Sequence, residues 1–174
     1  MTILFSGKAI CCAALLSAGS ALWAGTPGAQ MPAPAGIDHH EAGVIPAPAY
    51  GPALPLDTAR RMADAARAKA LAMGFDGCSI AIAAPDGSLV LFEKMDGTTY
   101  VSIQFAIAKA RTAAISRRAT GPSPDGSMTV PMPDLIALPG GFPIIAGGRT
   151  VGAIGISGTP GGDVAIAQAA LASL

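Results

Sequence analysis

The chain has 174 residues, a formal net charge of zero and only 13% charged residues. That length suits one domain with tails. With no excess of Lys and Arg, it offers no electrostatic footprint for nucleic acid or for an anionic membrane surface, and so sparse a charged surface points to faces covered by sister subunits in a homo-oligomer.

Residues 1–24 read as a cleaved secretory signal. Lys8 supplies the positive flank and Ala9 to Ala24 the apolar region, with small residues near its end. A spanning helix needs about 20 apolar residues, and Gly19 and Ser20 interrupt this run. The expectation is therefore export to the periplasm or beyond, without a membrane span. Ile10 before Cys11 does not suit a lipid-attachment site. Cleavage after Ala24 leaves Cys78 alone, and one cysteine makes no internal disulfide.

Residues 25–55 form a linker dense in Pro, Ala and Gly, without helical or strand period. Its polar cluster is Asp38, His39, His40 and Glu41. Adjacent side chains on an extended chain point to opposite sides, so His39 and His40 make a weak metal site. A solvated loop and an axial haem ligand both stay open.

Leu56 to Met73 is expected to be a helix, capped by Asp57 or Thr58, with Ala59, Met62, Ala63, Ala66, Ala70 and Met73 on one apolar face. Gly74 suits the left-handed position that ends it. Cys78 to Ala84 and Ser88 to Lys94 read as strands joined by the turn Pro85-Asp86-Gly87-Ser88. Cys78, Ile80 and Ile82 share one face, which makes Cys78 a buried structural thiol. Thr98 or Thr99 can cap a helix from Tyr100 to Arg117, with Ile103, Ala106, Ile107, Ala110 and Ala114 as its core stripe. Lys109 and Thr112 share a face and are expected to reach outward from one turn. Thr120 to Met132 is loop-like, and Pro133 to Leu138 has room for one helical turn.

The run from Leu138 to Gly162, LPGGFPIIAGGRTVGAIGISGTPGG, encodes a hairpin and a helix start. Phe142 to Ala146 and Thr150 to Ser157 read as strands around Gly147-Gly148, a two-residue turn that tolerates positive φ at both positions. Val151, Ala153, Gly155 and Ser157 fall on one face and Gly152, Ile154, Ile156 and Gly158 on the other. Glycines inside a strand often mark close approach by a helix, another backbone or a ligand. Gly161-Gly162 releases the chain into a last helix, with Asp163 near its positive end.

Zinc-ligand spacing, a Ser/His/Asp set, a Lys-containing phosphate loop and a dinucleotide fingerprint are all missing. Five segments, in this order, resemble the GlcG/HbpS family of haem-binding and haem-degrading-type domains, also found at the C-terminus of some PduO proteins. They are LDTARRMADAARAKALAMG, CSIAIAAPDGSLVLFEKMDG, SIQFAIAKARTAA, LPGGFPI and VGAIGISGTPGG. The resemblance covers Leu56 to Leu174. It implies an α+β domain with an antiparallel sheet covered by helices, in a profilin-like style, and a symmetric oligomer. It also implies haem as a cofactor, weakly ligated through a threonine, for which Thr112 and Thr120 are the nearest matches. Relatives usually carry a longer helical insert before Leu138; here it is shortened.

The candidate ligand-binding set is Asp96, Lys109 and Thr112 with the backbones of Gly140, Gly141, Ser157 and Gly158. Bare glycine N–H groups and a lysine charge suit a haem propionate or a small organic acid. The structural alternative pairs Asp96 with Lys109 and assigns the glycines to subunit packing. Three functions stay open: an exported haem- or tetrapyrrole-binding protein in uptake, sensing or detoxification; a non-catalytic accessory subunit of an exported oxidoreductase; and an enzyme acting on a small organic acid through Asp96 and Lys109.

Overall fold

The computed structural model describes residues 47–122 and 134–174. Three helices and four strands follow in the order α1 (Leu56–Ala72), β1 (Ser79–Ala83), β2 (Leu89–Lys94), α2 (Tyr100–Ser116), β3 (Gly141–Ala146), β4 (Arg149–Ser157) and α3 (Asp163–Leu171). The strands make one antiparallel sheet in the order β2-β1-β4-β3. The α+β architecture is therefore the expected one, an antiparallel sheet covered by helices. None of the helices described is long and apolar enough to cross a membrane.

Strand alternation decides the two faces. Cys78, Ile80 and Ile82 of β1 and Ile154 and Ile156 of β4 turn one way, into a core completed by Ala59, Met62, Ala63, Ala66 and Ala70 of α1 and Ile166, Ala167 and Ala170 of α3. Ala81, Ala83 and Ala153 turn the other way, onto Ala106, Ala110, Ala113 and Ala114 of α2. Val151 leaves its expected face and joins the core that holds Leu54. The second interface is built almost wholly of alanine, so α2 lies very close to the sheet. Gly155 sets that distance: a Cβ there would sit 2.2 Å from the Ala106 carbonyl oxygen and 2.4 Å from the Ala110 nitrogen.

The turns obey their glycines. Gly147 and Gly148 have φ of 56° and 72°, and Gly87 has φ of 84°. In that second turn the Asp86 carboxylate accepts hydrogen bonds from Ser88 N (2.9 Å) and Ser88 Oγ (2.6 Å), which hold its pKa below the usual range.

Several local expectations are corrected. The N-cap of α1 is Pro55, without a side-chain cap bond, rather than Asp57 or Thr58. Met73 is exposed instead of joining the apolar face, because the helix ends at Ala72 and the chain turns away at Gly74 (φ 82°). Ile103 and Ile107 are only half-buried, while Ser102, Lys109 and Thr112 point inward. Residues 134–138 form no helical turn. The end of the expected linker is part of the domain: Gly51 N donates to Thr150 O (2.8 Å), Thr150 N donates to Ala49 O (2.9 Å) and Leu54 N donates to Val151 O (2.8 Å). Tyr50 Oη donates to Ile115 O at 2.7 Å, and the Arg117 guanidinium stacks 4.6 Å from the Tyr50 ring centre.

Candidate functional site

Lys109 is the most unusual side chain of the domain. It lies in the middle of α2, where neighbouring turns carry alanine, and only 3% of its side chain is exposed. Gly140 makes the space, since a Cβ there would come within 3.3 Å of Nζ. Nζ donates to Ile156 O at 2.8 Å and to Asp163 Oδ2 at 2.7 Å. The other carboxylate oxygen, Oδ1, accepts from Thr159 N (3.1 Å) and Thr159 Oγ1 (2.6 Å). Burying an ion pair costs desolvation that is offset only when the remaining valences are satisfied. Here four hydrogen bonds do so, and Asp163 opens α3, where the helix dipole favours a negative charge.

Beside this pair is a cleft of about 260 Å3, lined by Thr99, Val101, Ser102, Phe105, Ser157, Gly158, Thr159, Pro160 and Asp163. Ser102 of its lining belongs to a hydroxyl network. Ser102 Oγ donates its single proton to Thr99 O at 2.6 Å. Ser79 Oγ (2.8 Å) and Thr98 Oγ1 (3.0 Å) therefore donate to Ser102 Oγ. Thr99 is the N-cap of α2, but its side chain makes no cap bond. Gly158, at φ of 102°, lets the chain pass close over Thr98 and Ser102.

The sequence-based candidates divide accordingly. Lys109, Gly140, Ser157 and Gly158 gather around this cleft and ion pair. Gly141 lies just behind: a Cβ there would meet Lys109 O at 2.6 Å and the Thr120 side chain at 2.8 Å. Asp96 belongs elsewhere. It is exposed and lines a separate depression of about 360 Å3 with Arg67, Leu71, Asp76, Glu93, Lys94 and Met95. Asp163, not Asp96, pairs with Lys109. Lys109 and Thr112 face inward rather than outward: Gly140 leaves room for the Lys109 head, and Thr112 Oγ1 accepts from Ile136 N at 3.0 Å. His39 and His40 lie outside the described residues.

Reasoning from sequence missed Asp163 as the lysine partner, and with it Thr159, Ser102, Thr98 and Ser79. The local signal was limited to Asp163 at the helix start; the pairing spans 54 residues and depends on the crossing of α2 over β4.

Of the candidate iron donors, the two threonines and the cysteine are otherwise engaged. Thr112 is fully buried and its Oγ1 accepts from Ile136 N at 3.0 Å. Thr120 Oγ1 donates to Leu138 O (2.6 Å) and accepts from Gly141 N (2.9 Å). Both hydroxyls are engaged in holding the 134–141 segment, so neither suits axial ligation as the chain is folded. The Cys78 thiol is pushed up to about 12, first by burial and then by Asp163, and stays a neutral thiol rather than a ligand thiolate. Among the described residues, no group of three or more His, Cys, Asp or Glu is placed to hold a metal ion.

Comparison with known proteins agrees with the fold. Protein GlcG of Escherichia coli strain K12 is 36% identical over 84 residues, which cover 45% of this chain and 63% of GlcG; the match thus spans less than two thirds of GlcG. A double mutant of Streptomyces reticuli HbpS is 28% identical with a TM-score of 0.62, covering 71% of this chain and 88% of that one. The fold is shared with the PduOC:Heme complex, at 24% identity and a TM-score of 0.62, over 70% of this chain and 95% of that one. A family model described as haem degrading protein HbpS-like matches residues 54–172, and the chain belongs to this HbpS-like family.

Proposed function

We propose that this is an exported haem- or tetrapyrrole-binding protein that holds its ligand against the start of α2. The observation that carries the reading is an exposed apolar strip beside a hydroxyl-lined cleft. Tyr100 is 84% exposed, Val101 58% and Phe105 36%, and Val101 and Phe105 also line the cleft that contains Ser102 and Ser157. A macrocycle needs an apolar face for its ring and polar groups for its carboxylates, and these lie side by side here. The cleft is smaller than the roughly 300–1,000 Å3 that encloses a drug-sized ligand. It takes an arm of the macrocycle while the ring rests on α2, where a sister subunit would cover it.

Haem, when bound, supplies an iron centre and a large apolar ring. The chain's own contribution is to position it: the apolar strip excludes water from one face of the ring and the cleft orients one edge. Thr112 and Thr120 are engaged elsewhere, so neither supplies the iron with an axial ligand as the chain is folded. Export is supported by residues 1–24, with Lys8 followed by the apolar run Ala9 to Ala24.

The test is a haemin titration of the full chain followed by absorbance. A saturable Soret shift, weakened by Phe105→Asp, is expected. No shift, or a shift untouched by that change, overturns the reading. Export is checked by N-terminal sequencing of the protein recovered from the periplasm or medium, with cleavage after Ala24 as the expected result.

A further inference from the structure

We infer that the cleft between the start of α2 and the β4–α3 turn is a receptor for the carboxylate of an aliphatic monocarboxylate, bound by the Val101 N–H together with the Ser157 hydroxyl. The inference deepens the proposed function, because a haem propionate arm is itself an aliphatic monocarboxylate; it also stands without haem, since a free short-chain acid has the same chemistry.

Two independent features converge on this place. First, the opening N–H groups of an α-helix have no intrahelical partner. In α2, Ser102 N turns back to Thr99 O at 3.2 Å, and the side chain of the N-cap Thr99 makes no cap bond. Among the described residues the Val101 N–H has no partner, and Val101 lines the cleft at the positive end of a 17-residue helix. Second, Ser157 is 5% exposed and lines the same cleft. It lies on the α2-facing side of β4, opposite Ser79 in the ladder. Among the described residues its hydroxyl has no hydrogen-bond partner, and it is not sealed off from the cleft. A buried hydroxyl aimed into a cleft calls for a partner there.

The polarity of the site selects the ligand. The Val101 N–H can only donate, and Ser102 has already given its proton to Thr99 O. With the Ser157 hydroxyl as a second donor, the free groups suit an anion. Asp163 is also on the wall, but its charge is met by Lys109 and Thr159, so the cleft is not acidic overall. Val101, Phe105 and Pro160 supply an apolar flank for a hydrocarbon stem. At ~30 Å3 per water-sized group, the 260 Å3 of the cleft holds about eight such groups, the size of a short acid or one propionate arm.

The test uses the full chain with three probes: butyrate, haemin and the dimethyl ester of haemin. Butyrate is followed by amide chemical shifts, the two haem compounds by absorbance. The expected result is a saturable butyrate shift centred on Val101 and Gly158, and haemin binding at least ~10-fold tighter than its ester. Ser157→Ala weakens butyrate by about tenfold, the loss of one hydrogen bond to a charged group. Val101→Pro, in the first helical turn where proline is tolerated, deletes the N–H and weakens it more than Val101→Ala does. If haemin and its ester bind equally and butyrate gives no saturable shift, the carboxylate receptor is overturned while the haem reading stands. If butyrate binds at the cleft and haemin does not bind, the receptor stands with a free acid as its source and the haem reading falls. Butyrate shifts that survive both Ser157→Ala and Val101→Pro overturn the receptor.

Discussion

Replacing Gly155 by alanine tests how the domain is assembled. The added Cβ would lie 2.2 Å from the Ala106 carbonyl oxygen, where ordinary contact begins near 3.4 Å. The shortfall, 3.4 minus 2.2, is 1.2 Å, and the opposing atoms are helix backbone rather than a side-chain tip. No rotamer change relieves it. Either α2 moves off the sheet or β4 bends, and the alanine interface of Ala81, Ala83, Ala106, Ala110, Ala113, Ala114 and Ala153 opens along its length. Overpacking a tight core costs about 1–3 kcal/mol and sometimes more. Contact with rigid backbone puts Gly155→Ala at the upper end, about 3 kcal/mol. At roughly 4 °C per kcal/mol for a domain of this size, the melting temperature falls by about 12 °C. Circular dichroism melts of the full chain measure this, with Gly147→Ala beside them. Gly147 has φ of 56° but nothing within 4 Å of a Cβ, so it reports backbone strain alone, about 1–2 kcal/mol. A Gly155→Ala melt within 2 °C of wild type, or no lower than that of Gly147→Ala, would refute the close-packed helix.

Other expectations follow from the same contacts. Lys109→Met strands the Asp163 carboxylate and costs about 3–5 kcal/mol; Asp163→Asn added to it recovers part of the loss in urea unfolding, and an additive double variant would show that the two groups are not coupled. Cys78 has its pKa raised by burial, from 9.0 to about 12. The neutral thiol is therefore favoured in the folded state, and its contribution is complete below pH 9 and lost as pH rises toward 12. Cys78→Ala should flatten the fall of stability between those values, by up to about 1.4 kcal/mol per pH unit, and iodoacetamide should label the thiol only after unfolding. Thr112→Val removes the acceptor for Ile136 N and costs about 1–2 kcal/mol, yet should leave the spectrum of any haem complex unchanged; a displaced Soret band would restore Thr112 as an iron ligand. Leu54→Ala should lower stability by about 2 kcal/mol or more, because this residue is 7% exposed and tied to Val151; a neutral result would return residues 47–55 to a mere linker.

The sequence by itself determined the elements and their order. Apolar residues at three- and four-residue spacing specify α1, and alternation around Asp86-Gly87 and Gly147-Gly148 specifies the two hairpins, because helix period, pleat and turn φ are properties of a few adjacent residues. Side-chain direction inside α2 was less legible. A helix packed on both alanine and glycine leaves room for polar groups on its inner side, so the spacing of Lys109 and Thr112 did not reveal that both are buried. The composition of the candidate site was decided only by tertiary structure. Lys109 and Asp163 are 54 residues apart, and Ser79, Ser102 and Ser157 come from three different elements. They meet because Gly155 lets α2 cross β4 at backbone contact and Gly140 leaves a gap for the lysine head. Short-range pattern fixes which face a residue takes; only the distance between packed layers fixes which residues touch.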